Sequence, residues 1–98
     1  MLANDNNFKE LINKDFVLVD FFATWCGPCK MLSPIIDELD NIDVVKVDID
    51  NCENTCKEYG VMSVPTLMIF KKGELVSKKI GYMPKEVIVD WLDENKKL

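Results

Sequence analysis

Phe21 to Lys30 reads FFATWCGPCK. Two cysteines stand three positions apart, with a tryptophan before them and Gly-Pro between them. Such a pair is either half of a metal site or a reversible disulfide, and the surrounding chain must decide which. On its N-terminal side, FVLVDFF (Phe16 to Phe22) is a run apolar at nearly every position, as expected of a strand in the middle of a sheet that helices cover on both faces. On its C-terminal side, Met31, Leu32, Ile35, Ile36 and Leu39 keep helical spacing. The cysteines therefore sit where a strand hands over to a helix running from Gly27 to about Leu39, with Pro34 inside it as a source of a kink.

Further out, Phe8, Leu11 and Ile12 suit a short first helix capped by Asn4 or Asp5. VVKVDID (Val44 to Asp50) reads as a second buried strand, and Asn51 to Tyr59 as a short helix stopped by Gly60. TLMIF and LVSKKI flank KKGE as a hairpin. The last helix has Pro84 near its start and Val87, Ile88, Trp91 and Leu92 on one face. Preceded by a few strand residues at Met1 to Ala3, this alternation ending in a hairpin implies an α/β three-layer sandwich with a central mixed sheet. No repeat, low-complexity tract or linker divides residues 1–98, which read as one domain.

The chain has 98 residues, of which 48% are apolar, enough for a core that needs no metal. Its 17 acidic against 12 basic residues, with lysines scattered in pairs, argue against nucleic acid or an anionic membrane as partner. The start lacks a basic region followed by an apolar run, so a cytoplasmic protein without a signal peptide is expected. In that reducing compartment the four cysteines point to catalysis or metal binding rather than to structural disulfides. The absence of histidine removes Cys-His hydrolase chemistry and imidazole zinc sites.

As chemistry, the pair is asymmetric. Pro28 presets its own φ for a first helical turn and Gly27 takes the φ that remains. Cys26 lies at the helix start, where free N–H groups and the macrodipole favour a thiolate; Cys29 lies almost a turn further in. Cys26 is thus the attacking sulfur and Cys29 the resolving one. Asp20, an acid inside an apolar strand, either meets water at a strand end or is buried with a raised pKa, from which it takes the Cys29 proton. Lys46 on the adjacent strand is its natural partner.

These residues, with Val64-Pro65-Thr66, KKGE and Gly81 in the same order, resemble the thioredoxin family along essentially the whole chain. The resemblance implies the thioredoxin fold and a protein-disulfide reductase acting as a monomer without a bound cofactor, its redox centre the Cys26–Cys29 disulfide. It further implies a thioredoxin reductase as electron donor and disulfide-containing proteins as clients. Cys26, Cys29, Asp20 and Lys46 match the catalytic positions. Trp25, Gly27, Pro28, Val64, Pro65 and Gly81 match the client groove: Trp25 shielding the disulfide, Pro65 following a cis bond, Gly81 leaving the far wall open. The first strand is shorter than usual, Phe22 replaces a common second tryptophan, and Met62 and Tyr82 enlarge the apolar rim. Cys52 and Cys56 lie outside the pattern. At i and i+4 they share a helix face with Cα atoms about 6 Å apart, open to reading as inert thiols, a secondary redox pair, or a metal or modification site. Two rivals remain: a structural zinc module built on all four cysteines, and a scaffold subunit that uses the fold without its redox chemistry.

Overall fold

In the computed structural model, which describes residues 1–97, the central strand is the one that leads into the cysteines. This strand, β1 (Val17–Phe22), lies between β2 (Asp43–Asp48), parallel to it, and β3 (Thr66–Lys71), antiparallel to it; β4 (Glu74–Ile80) pairs with β3 at the other edge. The order is β2-β1-β3-β4. A parallel pair cannot be joined by a tight turn, and the crossover from β1 to β2 is made by α2 (Gly27–Asp37). The antiparallel β3–β4 pair closes through Lys72 and Gly73, both with positive φ (51° and 83°), the backbone that a two-residue hairpin turn requires. The opening strand is reduced to one bridge, Leu2 beside Lys46, with the Ala3 N–H and the Lys46 N–H each donating across it.

Alternation along β1 sorts its side chains into two cores. Val17, Val19 and Phe21 face Phe8 and Ile12, together with Cys52 and Cys56 of the α3 region (Glu53–Glu58). Leu18 faces Leu32 and Ile36 of α2, and Ile88, Trp91 and Leu92 of α4 (Lys85–Lys96). Nothing about this pattern depends on Cys26 or Cys29; burial of each such side chain stabilises by about 1.5–3 kcal/mol. Asp20 follows the same alternation and is carried onto the α2 face, inside the protein.

Three local expectations are corrected, those for Met31, for Val87 and for the cap of the first helix, which is short as expected. Helix α2 ends at Asp37 rather than near Leu39, and its Met31 is 62% exposed, because residues 32 and 36 supply the buried stripe. In α4 the inward face is Ile88, Trp91, Leu92 and Asn95, while Val87 is 40% exposed. The first helix is one turn, α1 (Phe8–Leu11). Asn4 caps the turn that precedes it, its Oδ1 accepting from the N–H groups of Asn6 and Asn7. Asp5 instead crosses to α3, where its carboxylate accepts from the N–H groups of Asn54 and Thr55 and from the Thr55 hydroxyl. The residue at the start of α3, Cys52, makes no side-chain cap; Asp5 supplies it from a distance of about fifty residues.

Candidate active site

Cys26 is the N-cap of α2, its backbone extended (φ −91°, ψ 115°), and its Sγ accepts from the Cys29 N–H at 3.2 Å. A serine or aspartate oxygen commonly does this at a helix start; here a sulfur does, and a negative sulfur would accept more strongly. Gly27 and Pro28 open the helix, and Pro28 has no N–H to leave unpaired there. Cys26 and Cys29 are joined as a disulfide with Cα atoms 5.3 Å apart. Both are buried, at 5% and 6% exposure. Cys26 Sγ lies 3.8 Å from the Val64 carbonyl oxygen, an acceptor for the reduced thiol.

The Val64–Pro65 bond is cis, as the resemblance implied. The Pro65 carbonyl accepts from the Gly81 N–H at 2.8 Å, which ties these two segments together. Gly81 has a φ of +96°, yet a Cβ built there would meet nothing within 4 Å. Its backbone conformation by itself favours glycine, and the open space beside it is compatible with the expectation that a glycine leaves the far wall open. Trp25 is 66% exposed, and its indole N–H donates to Asp50 Oδ2 at 2.9 Å. Met62 and Tyr82 are exposed as well, at 96% and 44%.

Beneath the disulfide is a cavity of about 290 Å³ lined by Asp20, Phe22, Ala23, Thr24, Cys29, Lys30, Ser33 and Lys46. It brings the inner cysteine and the buried acid to one space. Asp20 is 4% exposed and its Oδ1 has no hydrogen-bond partner. Burial pushes its pKa up to about 6, against the pull of Lys46 and with a further push from Asp37. Lys46 pairs with Asp20 in register across β1 and β2. Its ammonium, however, donates to Asp37 Oδ1 at 2.8 Å and to Ser33 Oγ at 3.4 Å, not to Asp20. Lys46 is thus the expected neighbour of Asp20 on the adjacent strand and acts on it through space rather than by a hydrogen bond.

Cys52 and Cys56 are free thiols. Cys52 is fully buried, its Sγ donating to the Ala3 carbonyl at 3.5 Å. Burial pushes the Cys56 thiol up to about 11, with Cys52, Asp5 and Asp48 adding to it, and raises Cys52 in the same way. Among the described residues no group of acidic residues or cysteines is arranged to hold a metal ion, and the two cysteine pairs belong to separate core clusters.

Sequence reasoning missed three residues. Asp50, just past β2, anchors Trp25; Asp37 and Ser33 hold Lys46. Ser33 and Asp37 are four positions apart on α2 and so share a face, a signal present in the sequence. What lay outside it was the direction of the lysine.

The family model described as thioredoxin matches residues 1–94. Thioredoxin of Rickettsia conorii is 48% identical over 98 residues, covering 93% of each chain. Thioredoxin of Staphylococcus haemolyticus is 46% identical over 98 residues, covering 95% of this chain and 94% of its own. Among solved structures, a mutant thioredoxin from Halobacterium salinarum superimposes with a TM-score of 0.89 at 32% identity, over 96% of this chain and 88% of that one. A helix capped by one cysteine of a buried pair, an acid in the cavity under the other, and likeness along nearly the whole chain agree: this protein belongs to the thioredoxin family.

Proposed function

We propose that this thioredoxin-family disulfide reductase works through two unequal sulfurs. In the reduced protein the Cys26 thiolate, held at the N-terminus of α2, attacks one sulfur of a client disulfide. A Cys26–client bond forms, the client's own S–S bond breaks, and its other sulfur leaves as a thiolate. Asp20 takes the proton of Cys29 across the cavity. The Cys29 thiolate attacks Cys26 Sγ, the Cys26–client bond breaks, and the client's second sulfur leaves and is protonated. The client has gained two electrons, and the protein has become the Cys26–Cys29 disulfide present in this structure. The observation that carries the reading is the Cys29 N–H donated to Cys26 Sγ at the start of α2, which stabilises negative charge on one sulfur and not on the other.

Trp25, Val64, Pro65, Tyr82 and Gly81 form the surface that receives an extended client segment, with Val64 and Gly81 presenting backbone to it. A thioredoxin reductase returns the electrons, and the reducing cytoplasm is the setting in which this direction of exchange is sustained. No described helix is long and apolar enough to cross a membrane. Mixing reduced protein with a disulfide-bonded peptide tests the assignment. Cys26→Ser abolishes reduction, and Cys29→Ser accumulates a covalent protein–peptide adduct detectable by mass. Normal turnover by Cys29→Ser would refute the two-sulfur scheme.

A further inference from the structure

The cavity under Cys29 holds a buried carboxylate with an unpartnered oxygen and, in register beside it, a lysine whose ammonium is turned elsewhere. An unpaired buried carboxylate and a nearby ammonium attract each other strongly in a low-dielectric interior, so something must compete for Lys46. Two groups on the face of α2 do. Asp37 Oδ1 accepts from Lys46 Nζ at 2.8 Å and Ser33 Oγ lies at 3.4 Å. Asp37 is on the solvent side, its side chain 62% exposed against 27% for Lys46, so the pull is outward.

We infer that Asp37, assisted by Ser33, is a positioning residue that holds the Lys46 ammonium away from Asp20 and thereby keeps Asp20 a strong enough base to deprotonate Cys29. The inference rests on the role proposed above for Asp20 and concerns what sets its basicity. The groups around Asp20 leave few alternatives. From β2 it is faced by Lys46; from α2 by Cys29, Ser33, Lys30 and, further out, Asp37. From β3 its register partner is the apolar Leu67. Beyond that, Lys79 on β4 is held over the Trp91 ring. Lys46 and Asp37 are the charges that act on Asp20, in opposite senses. Were Lys46 to close on Asp20, the carboxylate would be stabilised, and a stabilised carboxylate is a weaker base.

The test follows Asp20 itself and the resolving step separately. Carboxyl-labelled aspartate in the reduced protein gives the Asp20 titration midpoint by NMR in wild type, Asp37→Asn, Lys46→Met and the double variant. The second, first-order release of thionitrobenzoate after Cys26 attacks dithiobis(nitrobenzoate) gives resolution by Cys29 against pH. In Asp37→Asn the Asp20 midpoint falls, and most of that fall vanishes in the Lys46→Met background, where no ammonium is left to move. For a base weakened tenfold, resolution above pH 7 slows by roughly threefold. Below the wild-type midpoint the variant becomes the faster of the two, because more of its Asp20 is ionised, so the two profiles cross. A merely structural loss would lower the profile without a crossing. Ser33→Ala moves both readouts the same way by less. An unchanged or raised Asp20 midpoint in Asp37→Asn overturns the inference, as does an equal fall with and without Lys46. A midpoint that falls while the resolution profile stays fixed overturns the base assignment of Asp20 and upholds the capture of Lys46.

Discussion

Replacing Asp20 by asparagine makes the protein more stable at neutral pH, and by an amount the structure sets. Asp20 is 4% exposed and its pKa is raised from an ordinary 3.8 to about 6. The folded state therefore binds this proton more tightly than the unfolded chain does. Stability falls as pH rises, beginning near 3.8 and ending above about 6, the window between the two values. Each tenfold difference in proton affinity is worth about 1.4 kcal/mol, so the ionised carboxylate costs the fold about 3 kcal/mol at pH 7. Asparagine keeps the shape and carries no charge. Urea unfolding of the disulfide form at intervals from pH 4 to 8 reads the difference between variant and wild type. That difference grows by about 2.5 kcal/mol from pH 4 upward and is flat above pH 7. Any constant offset from the amide's own hydrogen bonding moves every point equally, and only the growth with pH is diagnostic. A difference that stays level from pH 4 to 8 would refute the claim that burial raises the Asp20 pKa in the fold.

Gly81→Ala places an L-residue at a φ of +96° with no atom in the way of its Cβ; it lowers unfolding stability by about 1–3 kcal/mol with no clash in the groove, measurable by the same urea transition. Asp50→Ala releases the Trp25 indole and raises KM for a disulfide-bonded peptide more than it lowers kcat, as steady-state kinetics of variant and wild type will show. Thr55→Val removes a buried hydroxyl paired with Asp5 and costs about 1–2 kcal/mol. Because the hydrogen bonds from Thr55 hold the Asp5 carboxyl below its usual range, the support Asp5 gives α3 is present above that range and lost as pH falls through it. Amide exchange of α3 in acid is the readout.

The sequence was most informative where burial alone decides the conformation. Strand β1 is apolar on both faces, and nothing but a position between two helical layers satisfies such a strand. The Lys72-Gly73 turn and the stop at Gly60 are fixed by backbone conformation at single residues. The placement of Cys26 at a helix start and of Cys29 almost a turn further in followed from a proline and the helical spacing after it. Met31 and Val87 were misplaced because spacing identifies a stripe about one-third of a helix wide and does not locate its edge. The direction of Lys46 was invisible for a different reason. A long side chain with three donors chooses among acceptors that are near in space and scattered in sequence, here position 37 on a helix over position 20 on a strand. The cap that Asp5 gives α3 is hidden in the same way.

Asp20 connects what was legible to what was not. The alternation that sends Leu18 inward sends Asp20 inward too, so its burial is a consequence of strand geometry and readable in advance. A buried acid is costly, and the simplest repair is a direct ion pair with the lysine already in register beside it. The protein has that lysine and turns it outward onto Asp37. Stability alone gives no reason to leave the carboxylate oxygen without a partner. The proton transfer proposed for Asp20 does, since a base paired directly to an ammonium has little affinity left for the proton of Cys29. The unsatisfied atom stands in the cavity that reaches the inner cysteine, where the proposed mechanism needs a proton acceptor and where an ionised carboxylate costs the fold about 3 kcal/mol.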